Sequence, residues 1–297
     1  MGKASRTKRA GTARERIAAQ RAAARRAEIR NRVFLASGAL VVVIGIVVAF
    51  VLVKANAKPK SGGASNGPTG TALASVVDKV TGVPAATLET VGAGTVTGGL
   101  TSVTGPPLTQ DGKPQVLYIG AEYCPYCAAQ RWALIVALSR FGTFSGLRTI
   151  HSASRDVYPN TPTFTFAGSH YTSRYISFAP VEETSNVPNG PNSYTPLEKP
   201  TAAQQALAAK YDSQGSIPFV DFGNKYVEVG NLAGFGPQVL AGKSWNQIAA
   251  ALSDPSSPIA KAVGGAANYT TAAICKLTHN QPASACTPAV KALEAKL

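Results

Sequence analysis

Four cysteines are the residues of this chain whose types and spacing most directly suggest chemistry: Cys124, Cys127, Cys275 and Cys286. The first two form Cys124-Pro125-Tyr126-Cys127, and ten residues separate the second two. A C-x-x-C pair supports redox exchange, metal binding or a local structural disulfide. Zinc would want a second close pair, and the three histidines His151, His170 and His279 are scattered. The redox reading needs a strand that delivers the first cysteine to a helix N-terminus. There the unpaired N–H groups and the helix dipole stabilise a thiolate. The flanking sequence meets that demand. Gln115–Gly120, QVLYIG, is a short apolar β-prone run, and Ala128–Phe141, AAQRWALIVALSRF, is a helix. In it Trp132, Ile135, Val136, Leu138 and Phe141 can share one broad face. Pro125 falls in the first turn, where its missing N–H costs nothing. Cys127, one turn on, can reach the sulfur of Cys124 and resolve a mixed disulfide. Such exchange needs no bound cofactor, because the electrons travel through the two sulfurs.

The rest of the chain must position that pair. It has 297 residues, 45% of them hydrophobic, which is enough for a core of one or two domains. The net charge of +14 belongs mostly to a tail: residues 1–32 hold eleven Lys/Arg and two acids. That arm has no aromatic residue to stack on bases, so no nucleic-acid partner is expected. Residues 33–53 are 21 uncharged residues, about 31 Å as a helix, and are predicted to cross the membrane once. The basic arm places the N-terminus in the cytoplasm and everything after Lys54 outside it. The expected location is therefore the cell membrane. Residues 54–70 read as a flexible Gly/Ser/Pro/Lys linker, and 71–297 as the extracytoplasmic domain.

Within that domain, residues 71–91 carry apolar spacing for a helix that Pro84 breaks or restarts. Leu147–His151 reads as the strand after the motif helix. Thr163–Phe166 and Tyr175–Phe178 read as a hairpin across Ala167-Gly168-Ser169. Residues 184–200 read as loop and Ala202–Tyr211 as helix. Ile217–Phe222 and Lys225–Val229 read as a β-hairpin turning at Gly223-Asn224. Ser244 can cap a helix reaching Leu252, and the C-terminal tail should be helical. Cys275 and Cys286 are expected to pair as a structural disulfide, with a relay to Cys124–Cys127 as the alternative. The aromatics from Tyr158 to Phe178 fit core packing or a client groove. Asn268-Tyr269-Thr270 is a glycosylation triplet.

Two resemblances add to this reading. Glu122-Tyr123-Cys124-Pro125-Tyr126-Cys127 resembles the thioredoxin superfamily, and Ser216-Ile217-Pro218-Phe219 resembles its cis-proline segment. That resemblance implies an α/β thioredoxin-like fold with an inserted hairpin and loop region. It implies Cys124 as nucleophile, Cys127 as resolving thiol, and Ile217, Pro218 and Tyr126 as contacts for a client. Tyr118 stands where thioredoxins carry a buried acid, and Glu122 is the candidate to replace it. More closely, GAEYCPYCAAQRWALIVALSRFG, DVYPNTPTFTF, GSIPFVDFGNKY and ICKLT resemble the membrane-anchored, thioredoxin-like family called domain of unknown function 929. The implied partners are extracytoplasmic proteins with thiols or disulfides, and a membrane redox partner. The competing function is a non-catalytic, membrane-tethered binding module that keeps its disulfides.

Overall fold

The computed structural model describes residues 67–297. The basic arm, the apolar run 33–53 and linker residues 54–66 lie outside the described residues. Among the described residues no helix is long and apolar enough to cross a membrane.

The chain enters through α1 (Gly70–Thr81) and α2 (Ala85–Val91), and Pro84 is the N-cap of α2. Strands β1 (Thr101–Ser102), β2 (Thr109–Gln110) and β3 (Lys113–Gly120) precede the motif helix α3 (Pro125–Leu138). Seven strands follow: β4 (Gly142–Ser145), β5 (Arg148–His151), β6 (Pro162–Thr165), β7 (His170–Ser173), β8 (Ser177–Glu182), β9 (Thr184–Pro188) and β10 (Tyr194–Pro196). Helix α4 (Ala202–Tyr211) leads to the hairpin β11 (Phe219–Phe222) and β12 (Tyr226–Val229). The chain ends in α5 (Trp245–Ala251), α6 (Gly265–Leu277) and α7 (Pro288–Glu294). Ser244 caps α5 in a capping box with Gln247.

The sheet is mixed. Its order is β1-β12-β11-β3-β2, with β8 also on β3. The motif strand β3 has β11 antiparallel on one side and β8 parallel on the other. Strand alternation then sorts the core. Val116 and Tyr118 face the large core with Val220 and Phe222, beneath α3 and α6. Leu117, Ile119 and Phe219 face a smaller cluster with Leu207 and Ala208 of α4.

Two expectations are corrected, and the strand expected at Leu147–His151 is present as β5. Thr163–Phe166 and Tyr175–Phe178 do not pair: β6 pairs with β5, β7 pairs with β4, and β8 runs parallel to β3. Burial overrides the local turn here. Every residue of β6 is buried, Trp132 Nε1 donates to Pro162 O at 2.8 Å and Thr163 Oγ1 donates to Ala128 O at 2.8 Å. The strand after the motif helix exists as β5 but lies outside the six-stranded sheet. Residues 184–200 include the hairpin β9–β10, with Pro188 and Pro196 in two short strands that make a sheet of their own. Such edge positions tolerate proline's missing N–H. Finally, α3 has no exposed face: every residue but Tyr126 is buried. A helix covered all round needs partners for its polar side chains, and Gln130 and Arg131 both have them.

Residues 85–99 are sewn to the C-terminal half. Buried Asn268 donates from Nδ2 to Leu88 O and Gly92 O, both at 2.8 Å, so its amide is committed inside the protein rather than presented for glycosylation. The backbone at Gly94 passes so close to Lys261 O that a Cβ would collide with it, and φ is +56° there. Cys275, in α6, is bonded to Cys286, just before α7, with S–S 1.97 Å and Cα–Cα 5.7 Å.

Candidate functional site

Strand β3 ends at Gly120, and the chain turns through Ala121 to place Cys124 at the N-cap of α3. The Cys127 backbone N–H donates to Cys124 Sγ at 3.2 Å. The sulfur thus takes the place a serine or aspartate oxygen takes in an ordinary cap. Pro125 at the first helical position leaves no further N–H unpaired there. The dipole end of a fourteen-residue helix points at this sulfur.

Opposite Cys124 lies the loop before β11. The Ile217-Pro218 peptide is cis, and Cys124 Sγ lies 3.9 Å from Ile217 O. Cys124, Cys127, Ile217 and Pro218, ninety residues apart in sequence, therefore meet at one end of the sheet. Cys124 is 5% exposed and Cys127 is wholly buried. Both are free thiols. Tyr126 is 41% exposed and meets Tyr158 edge-on at 6.1 Å, while Tyr123 stacks on Tyr194 at 4.4 Å. Tyr123 and Tyr126, on either side of Cys124 in sequence, are thus each held by a second ring.

The two thiols are held apart in acidity. Hydrogen bonding from Cys127 pulls the Cys124 thiol below its ordinary value against the effect of burial, and Arg131 adds to the pull. Burial, then the bond to Cys124 and its charge, push Cys127 well above its ordinary value. Of the two thiols, Cys124 is the one that ionises first.

Arg131 is the functional residue that sequence reasoning passed over. It follows Cys127 by four residues, so the two share a helix face. Its guanidinium is fully buried. Nε and Nη2 donate to Glu182 Oε1 and Oε2 at 2.7 and 2.6 Å, and Nη2 donates to Ala121 O at 2.7 Å. Burial opposes the charge, but the Glu182 carboxylate outweighs it and keeps Arg131 protonated. A positive charge thus sits below both sulfurs, tied between α3 and the end of β8. The signal was present in the sequence: two long polar residues, Gln130 and Arg131, inside an otherwise apolar helix.

Tyr118 lies under the same guanidinium, 6.0 Å from ring centroid to Cζ. Its hydroxyl is buried without a hydrogen-bond partner among the described residues, and burial holds it well above the ordinary phenol range. That hydroxyl packs on Gly120, where any Cβ would strike it. Glu122 is buried and its N–H donates to Thr184 O at 2.9 Å; burial, with the neighbouring Glu122 as a lesser cause, raises Glu182 above its ordinary value.

A second carboxyl braces the other side of α3. Gln130 Nε2 donates to Glu228 Oε2 at 2.9 Å, and the Leu232 N–H donates to Glu228 Oε1 at 3.2 Å. Burial pushes Glu228 up to about 8. Asn231 Nδ2 donates to Gln130 Oε1 at 3.0 Å and to Tyr126 O at 3.1 Å, which fixes the turn between the two cysteines.

Cys275 and Cys286 stand in the large core and are bonded to each other. Residues 100–276, more than half of the chain, match the family model described as Domain of unknown function (DUF929). No curated protein and no solved structure matches the chain.

Proposed function

The chain belongs to the DUF929 family, and on that premise we propose that it is a membrane-anchored, extracytoplasmic thiol–disulfide oxidoreductase. The fold of this reading is thioredoxin-like. It is supported by a motif strand with one parallel and one antiparallel neighbour, and by a cis-proline facing the C-x-x-C turn. The segments between α3 and β8, and between β8 and β11, are then the inserted region. The anchor is residues 33–53, with the basic arm on the cytoplasmic side.

One observation carries the activity: a free Cys124 sulfur that accepts the Cys127 N–H and lies beside the carbonyl before cis-Pro218. As a reductant, the Cys124 thiolate attacks one sulfur of a client disulfide. The client S–S bond breaks, and its second sulfur leaves as a thiolate that takes a proton. Cys127 then gives up its proton and attacks Cys124 Sγ, closing the 124–127 disulfide and releasing the first client sulfur. Two electrons pass from the protein to the client. A membrane dithiol donor returns them, and every step runs backwards when the protein oxidises clients.

Each neighbour has a role in this cycle. Ile217 offers its backbone to an extended client segment, and Tyr126 contacts the client from the exposed turn. Arg131 stabilises whichever sulfur is anionic, a role that does not require a carboxylate at the Tyr118 position. The test is insulin reduction and scrambled-ribonuclease isomerisation by the full-length protein, together with the reduction potential of the Cys124–Cys127 couple. Turnover that needs Cys124 supports the reading. Absence of turnover by the wild type leaves a tethered binding module.

A further inference from the structure

Behind the Ile217-Pro218 turn, away from the large core, the smaller layer of the sheet is incompletely filled. A cavity of about 200 Å³ opens between Ile119 and Phe219 of the sheet and Ala208 of α4, and Ile217 forms its edge nearest Cys124. Pockets for drug-sized ligands run to about 300–1,000 Å³. This one suits a single side chain. Its lining holds two acids, Glu183 and Asp212, and no basic residue.

The two acids differ in what occupies them. Asp212 accepts the backbone N–H groups of Gln214 (3.1 Å) and Ser216, so it is spent on shaping the loop. Glu183 is half-buried, and its side chain makes no hydrogen bond or ion pair among the described residues. The one cation of α4, Lys210, is committed to Thr104 O at 3.2 Å and Tyr211 Oη at 2.8 Å. A half-buried carboxylate in the wall of a cavity that also presents Ile119, Ala208 and Phe219 is complementary to a long side chain with a cationic tip, whose methylenes lie along the apolar part of the wall while the charge meets the acid.

We propose that this cavity is a specificity pocket for a lysine or arginine close in sequence to the reacting cysteine of a client polypeptide. The inference rests on the thiol–disulfide exchange reading and names the class of client that reading leaves open. An extended client beside Ile217 places side chains two apart on one face, about 7 Å from one another. A residue within three of the cysteine therefore reaches the pocket while the client sulfur is at Cys124.

The test uses the reduced full-length protein and peptides whose single cysteine is capped as a mixed disulfide with thionitrobenzoate. Cys124 attacks the peptide sulfur, the S–S bond breaks, and thionitrobenzoate leaves as a coloured thiolate. Lysine, norleucine and glutamate are placed in turn at each position within three residues of the cysteine. Capped N-acetylcysteine amide, which has no side chain for the pocket, is the control. At one position lysine should react about 5-fold faster than norleucine, with glutamate slowest. Glu183→Gln should reduce that preference to less than 2-fold while the control rate is unchanged. Ala209→Lys, at an exposed position on the pocket wall, should abolish it without touching a buried group. Equal rates for the three peptides, norleucine matching lysine, or a preference that survives Glu183→Gln would each overturn the pocket assignment alone. Failure of the control to react with the free thiols would remove the exchange reading and the pocket together.

Discussion

The two cysteine pairs of this protein use the same element for opposite ends. Cys124 and Cys127 are three residues apart at the start of a helix, remain free, and are split in acidity by the hydrogen bond between them and by the burial of Cys127. Cys275 and Cys286 are eleven apart, join the end of one helix to the approach of the next, and are bonded inside the large core. Neither sulfur of the second pair caps a helix: Cys275 lies in the last turn of α6, and Cys286 precedes Thr287, the N-cap of α7. Under the proposed function, what separates a reactive sulfur from an inert one is its position along a helix and the charge nearest to it.

The comparison breaks most sharply if the reactive pair is not reactive. Cys124→Ser should abolish exchange, whereas Cys127→Ser should trap clients on Cys124 as mixed disulfides seen on non-reducing gels. Equal trapping in both variants would mean the roles are wrong. Alkylation kinetics should give Cys124 an apparent pKa below the ordinary thiol value of about 8.5, and leave Cys127 unreactive well above it.

Removing the charge that favours the anionic form of either sulfur should have the next largest effect. Arg131→Met leaves Glu182 buried without its partner, and unfolding should lose about 3–5 kcal/mol. In the same variant the Cys124 titration should move up. A double variant, Arg131→Met with Glu182→Leu, should recover stability but not the low titration. Recovery of both would assign Arg131 a purely structural role.

Cys275→Ala with Cys286→Ala should cost about 2–4 kcal/mol in denaturant unfolding and leave Cys124 exchange largely intact. Loss of turnover with an unchanged thermal midpoint would make the second pair a relay and erase the contrast.

The smallest effect is a slope. Glu228 braces α3 beside the first pair and stays protonated to about pH 8, while in the unfolded chain it ionises near its ordinary value of 4.5. Between these values the unfolded chain has released a proton that the folded one keeps. Stability should therefore fall as pH rises, by at most about 1.4 kcal/mol per unit. Asp221, raised to about 6, adds to the fall at lower pH, and His151, lowered by burial, opposes it, so between pH 6 and 8 the Glu228 contribution is read by difference from its Gln variant. Glu228→Gln should flatten the curve there, and an unaltered slope would place the proton elsewhere.

The sequence was most legible where local signals and burial agree. The motif strand, the motif helix, Pro84, the capping box at Ser244 and the β11–β12 hairpin all follow from turn, cap and periodicity chemistry. Pairing between distant strands was not legible. An alternating run such as Thr163–Phe166 carries no mark of its partner, and burial against α3 decided the outcome. Half of the candidate site shares this fate. The cysteines and cis-Pro218 carry a spacing and a flanking pattern. Arg131 is meaningful only once Glu182, fifty-one residues later, is seen to meet it.

The amide of Asn268 has a consequence for where this domain begins and ends as a folding unit. Its two acceptors, Leu88 O and Gly92 O, precede the family match, and Cys286 follows it. A fragment cut to residues 100–276 would leave the buried Asn268 Nδ2 without its two acceptors and Cys275 with no sulfur to meet. The smallest autonomous piece therefore runs from α1 to α7, and recombination between relatives should exchange those flanks together with the segment they close.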